Sequence, residues 1–272
     1  MAKKIITSLT TVTLIIGLLV IASGYGCTHT ENSSSSWPVI TGSGDLEPKE
    51  MDYIDFTKIE VGYAFQADIT RSDSFFVSIT LDNNLFEYLD IGKTGDTLYI
   101  RLKPRFNYRR STQRAIITMP SLHAVKLSGA STGDVQGFSS AGSLQLGVSG
   151  ASNLNIEDIT ATDTEFEISG ASRVLGDIEM ADGDFYVSGA STVELEGTAE
   201  DVSLIVSGAS SVRLTELSTV NTSIELSGAS TGKVDVSARL DCIVSGASRL
   251  ECLGDPELGI VNVSGGSTMI KK

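Results

Sequence analysis

Leu204-Ile205-Val206-Ser207-Gly208-Ala209-Ser210-Ser211-Val212-Arg213-Leu214 is one copy of a unit that recurs through the second half of this chain. Its centre, Ser-Gly-Ala-Ser, starts at Ser128, Ser149, Ser169, Ser188, Ser207, Ser227 and Ser245 and returns as Ser-Gly-Gly-Ser from Ser264. Successive starts lie 21, 20, 19, 19, 20, 18 and 19 residues apart. Four residues before the glycine stand Val125, Leu146, Phe166, Phe185, Leu204, Ile224, Cys242 and Val261. Two before it stand Leu127, Val148, Ile168, Val187, Val206, Leu226, Val244 and Val263. Between these apolar columns runs a mixed one that includes Lys126, Gly147, Glu167 and Tyr186. Apolar alternating with mixed is a strand with one buried face. A second alternation follows the glycine, as in Leu154 and Ile156 or Val212 and Leu214. Polar stretches such as Ala181-Asp182-Gly183-Asp184 then read as turns leading to the next unit.

One such unit cannot bury its apolar face alone, so the copies must stack. The predicted fold is all-β, a parallel β-helix or β-solenoid of about eight regular turns of ~19–20 residues over 121–272. Glycine permits a sharp bend, and Ala and Ser are small enough for one corner to sit over the next. The serine hydroxyls are expected to bond along the stack or to corner backbone. They are poor candidates for nucleophiles, because no histidine accompanies them. Cys242 and Cys252 fall in apolar columns, which leaves two core thiols and a disulfide across the core both open.

The start of the chain reads differently. Lys3 and Lys4 precede a short apolar run from Leu14 to Ala22, and small residues lead to Cys27. Residues 1–26 are therefore expected to be a signal peptide, with Cys27 a candidate for lipidation. Residues 27–50, rich in Ser and Thr with Ser33 to Ser36 in a row, are expected to form a flexible tether. Residues 51–120 show strand alternation without the corner and are expected to be irregular turns that cap the solenoid, making 51–272 one domain.

Of the 20 cations, 18 remain after residue 26, against 34 anions, a net charge of −16. Such a surface repels nucleic acid. Six of those cations, Arg101, Lys103, Arg105, Arg109, Arg110 and Arg114, crowd into one segment with Phe106 and Tyr108. They form a candidate anion or glycan contact, weighed against a solvated loop neutralised by nearby carboxylates. The two histidines, His29 and His123, have no partner at a catalytic spacing, and no zinc, calcium or phosphate-loop motif occurs. No cofactor or metal is expected. Acidic residues show no fixed column that would suggest a metal ladder. Asp134, Glu194 and Glu251 share an outward column, the one feature favouring a polysaccharide lyase or hydrolase on the same scaffold.

The repeated Ser-Gly-Ala-Ser, preceded by Val or Leu and followed by a Val-containing strand, resembles the head GIN domain family of putative auto-transporter adhesins. The segment from Phe56 through Leu98-Tyr99-Ile100 is similar to that domain's opening. The resemblance spans roughly residues 55–270 and implies a right-handed parallel β-helix, export and frequent lipid anchoring. It brings no catalytic residues with it. The resulting expectation is a non-enzymatic protein of the cell envelope with an adhesive or structural surface. Glycans, cell-surface proteins and further copies of the chain are its candidate partners, and it meets a membrane only through an N-terminal anchor.

Overall fold

In a computed structural model of the chain, which describes residues 37–139 and 142–272, the repeats coil into a parallel β-solenoid. The register follows the apolar columns. Val187 lies opposite Val206, Val206 opposite Leu226 and Leu226 opposite Val244, all in parallel pairs. On the far side of the corner, Val174 pairs with Val193 and Val193 with Val212. Both columns face inward and are buried up to the last turn, where Val261 and Val263 are exposed. Phe166 and Phe185 stack across adjacent turns with ring centroids 4.2 Å apart. The eight corners bound about seven complete turns.

The corner geometry explains the repeated tetrapeptide. Gly189 has a φ of +80°, and a Cβ there would run into the carbonyl oxygen of Gly170 in the turn below. Only glycine meets both demands. From Ala171 onward the amide of the following alanine uses that proximity: Ala171 donates to Gly150, Ala190 to Gly170 and Ala209 to Gly189, each at 2.8 Å. The second serine is buried in the first seven corners, and in five of them its hydroxyl donates back to the carbonyl of the first, as from Ser172 to Ser169 and from Ser191 to Ser188 at 2.8 Å. These serines close the bend.

Two expectations change. The polar return stretches are strand, so that Arg173–Val187 and Thr192–Val206 run on without a break. Ile178, Ala199, Leu217 and Val236 point inward from this third wall. Pairing with the turns above and below outweighs the local turn preference of Asp182-Gly183. The tether expected over 27–50 is also too long. Val39–Thr41 pairs with Asn107–Arg109, and Leu46–Glu50 pairs antiparallel with Phe76–Asp82. Pro48 is tolerated there because the strand lies at an edge. Residues 27–36 of the expected tether, Cys27 among them, and the signal segment lie outside the described residues.

At the N-terminal pole the order in space departs from the order in sequence. Lys58–Val61 and Gln66–Arg71 form a turn directly against Ala124–Leu127 and Thr132–Gln136. The layer beyond is made by the later strands Thr97–Leu102 and Gln113–Met119. Antiparallel neighbours, Leu89–Thr94 and Phe76–Asp82, then close the layer. These strands cover the N-terminal end of the repeats, and Trp37–Lys272 form one unit. Among the described residues no helix is long and apolar enough to cross a membrane.

Candidate functional site

All six cations of the basic segment are exposed. They do not form one cluster of equivalent groups. Arg101 bonds Asp90 at 2.8 Å, which raises its pKa. Lys103 donates to the carbonyl of Glu87 at 2.7 Å. Among the described residues, no carboxylate lies within ion-pairing distance of Arg105, Arg109, Arg110 or Arg114. Arg109 and Arg110 line a groove of about 630 Å³ together with Phe106, Tyr108 and Tyr63. Tyr88 packs edge to face against Phe106 and Tyr108, which tilt against each other, at centroid separations of 5.0–6.2 Å. Burial, with Tyr88 and Tyr63 nearby, pushes the Tyr108 phenol up to about 12, so it remains a neutral donor to the Lys103 carbonyl at 2.8 Å.

The loop is held by a buried carboxylate that the sequence did not single out. Asp82 is 1% exposed and accepts the Gly44 amide at 2.6 Å and the Thr112 amide at 2.8 Å. It thereby ties the start of the described chain to the loop that carries Arg109 and Arg110. Its setting, Leu81-Asp82-Asn83-Asn84, looks like an ordinary turn, so only the contacts across the fold reveal it.

A second groove of about 580 Å³ runs along the outer face of the first sheet, beside the corners. Tyr63 lies on the border and lines both grooves. Strand register places Tyr63 opposite Gly129, so Gly62-Tyr63-Ala64-Phe65 is a ninth corner that lacks the signature.

The outward carboxylates form other patterns. In the column of Asp134, Glu194 and Glu251, the intervening turns contribute Arg213 and Lys233. Glu194 pairs with Arg213 at 2.9 Å. Glu251, 8% exposed at its side chain, meets Arg249, Lys233 and Lys272 at 2.9–3.2 Å. Arg249 is the main cause that holds its carboxyl at about 2, with Lys233 and Lys272 adding to it. This column is an ion-pair ladder. The expectation that acids share no fixed column is corrected by Asp163, Asp182 and Asp201, which stack on consecutive turns. Among the described residues no group of three or more His, Cys, Asp or Glu is placed to hold a metal ion.

The family model described as putative auto-transporter adhesin, head GIN domain, matches residues 55–256. The chain belongs to that family. No curated protein matches this head GIN domain chain. Among solved structures, it is similar to a putative adhesin from Parabacteroides merdae, with a TM-score of 0.79 and 16% identity over 86% of this chain and 99% of that one. A putative adhesin from Parabacteroides distasonis aligns with a TM-score of 0.75 and 18% identity, over 86% of this chain and all of that one. A putative lipid binding protein from the same species gives 0.71 and 18%, over 86% and 99%. At these identities the likeness is one of fold. Inside this family member's solenoid, Cys242 and Cys252 are buried free thiols, and burial pushes both pKa values up.

Proposed function

We propose that this head GIN domain protein is a non-enzymatic adhesin, exported, held at the cell envelope through a lipidated Cys27, and binding acidic glycan at its basic loop. The family and the solenoid fit adhesion without catalysis. The observation that carries the ligand class is the pair Arg109 and Arg110. Both are exposed without carboxylate partners and sit at the rim of an aromatic-floored groove on a strongly acidic protein. Guanidinium groups bond carboxylates and sulfates through paired donors, and an unneutralised pair on an acidic scaffold focuses attraction at one place. The solvated-loop alternative depends on neighbouring carboxylates, and among the described residues only Arg101 of the six has one.

The test is binding of the full chain to a soluble polyuronate. Arg109→Ala with Arg110→Ala should weaken binding at least tenfold and flatten its salt dependence. Unchanged binding, or none by the wild type, refutes the ligand assignment. Mass spectrometry of the mature N-terminus tests the anchor, and an unmodified or uncleaved start rules it out.

A further inference from the structure

Two outward rows run side by side along the second groove. One consists of the first corner serines, Ser128, Ser149, Ser169 and Ser188, and the register continues it through Gly62 to Arg101. The other is Tyr99, Glu60, Lys126, Gly147, Glu167 and Tyr186. Gly147 leaves a notch in that row, and the stem of Lys126 borders it most closely, with its Cγ 3.2 Å from where a Cβ would stand. Among the described residues, the hydroxyls of Ser128, Ser169 and Ser188 have no protein partner.

Tyr63 is the outlier. It occupies the corner position that all eight repeats give to glycine, and it does so at a φ of +59°. A bulky residue in that conformation is strained, and such strain concentrates at binding sites. The corner itself would be served better by glycine. What tyrosine adds is a ring, 39% exposed, at one end of the groove. Tyr186, 46% exposed, stands at the other end.

Charge in the groove is balanced. Glu60 and Glu167 face Lys126 and Arg101, and Arg101 is already bonded to Asp90. That balance favours neither a polyanion nor a polycation. Exposed phenol rings offer flat apolar faces to sugar rings, while serines and carboxylates bond hydroxyls. The polar groups repeat at the strand spacing of about 4.8 Å, and the six strand levels from Tyr99 to Tyr186 span roughly 24 Å. We propose that this groove binds a linear neutral glycan laid along the solenoid axis, stacked on Tyr63 and Tyr186 and bonded to the serine row. The proposal shares with the adhesion reading only that the ligand is carbohydrate, and its site is separate from Arg109 and Arg110.

The experiment is calorimetric titration of the full chain with linear hexasaccharides of β-1,4-linked glucose, mannose and xylose. At least one should bind. Tyr63→Gly, Tyr186→Ala and Gly147→Gln should each weaken it tenfold or more, while Arg109→Ala with Arg110→Ala binds as the wild type does. Tyr63→Gly should melt at an equal or higher temperature, a result that a merely structural tyrosine would not produce. Gly147 lies outside the left-handed backbone region and its nearest neighbour is the flexible Lys126 side chain, so its glutamine variant folds and fills the notch. Failure of all three sugars to bind at millimolar concentration, or unchanged binding by the three groove variants, overturns the proposal. Loss of polyuronate binding alone in the Arg109 and Arg110 variant bears on the basic loop and leaves this groove untouched.

Discussion

Replacing Gly189 by alanine isolates what the stacked corner requires. Its φ of +80° places alanine in left-handed backbone, which costs roughly 1–2 kcal/mol. The added methyl also collides with the Gly170 carbonyl, so the two turns must separate locally. Separation breaks the 2.8 Å bond from the Ala190 amide to that carbonyl, worth about 1 kcal/mol at a solvent-accessible corner. The sum is about 2–3 kcal/mol. Gly44 is the matched control. Its φ is +85°, yet nothing lies within 4 Å of its added Cβ, so Gly44→Ala should cost only the backbone part, about 1–2 kcal/mol. Urea unfolding of both variants measures the difference. Amide hydrogen exchange at Ala190 should show faster opening in Gly189→Ala alone. Equal costs for the two substitutions would refute the claim that neighbouring carbonyls, as well as backbone angle, demand glycine at the corner.

Other substitutions probe the core and the charged ladder. Among the described residues the buried Thr164 hydroxyl has no hydrogen-bond partner, so Thr164→Val should stabilise by about 1 kcal/mol in urea unfolding. Phe185→Ala removes a ring stacked on Phe166 in the centre of the solenoid and should cost about 3–5 kcal/mol by the same measurement. The Glu251 carboxyl, at about 2 in the folded chain against an ordinary 4.5, stabilises fully above about pH 4.5. That contribution vanishes as the pH falls through about 2, so stability curves of wild type and Glu251→Gln should differ at neutral pH and converge in acid. With pKa values raised by burial, Cys242 and Cys252 should resist iodoacetamide in the folded protein and react once urea unfolds it, as read by mass spectrometry.

Parts of the binding surface were visible in the sequence and parts were not. The basic segment was legible because its six cations are close along the chain. Their inequivalence was not, since Asp90 and Asp82, which pair Arg101 and anchor the loop, are brought in by the fold. The stack of Asp163, Asp182 and Asp201 was within reach, because each lies seven residues before its corner glycine. The ninth corner was out of reach. Gly62-Tyr63-Ala64-Phe65 shares neither the signature nor the local spacing, and its place beneath Gly129 depends on a turn packed out of chain order.

The sequence by itself determined the solenoid, its corner and the two inward columns of each turn. Those depend on residue type and on a period near 20 residues, and both are local properties that repetition amplifies. Only the tertiary structure decided that the polar return stretches form a third wall, that the first turn lies between later ones, and that Tyr63 stands in a glycine's place. The physical reason is that strand pairing is settled by whichever neighbour completes the sheet. In the repeats that neighbour is about one period away along the chain, and at the N-terminal pole it is not.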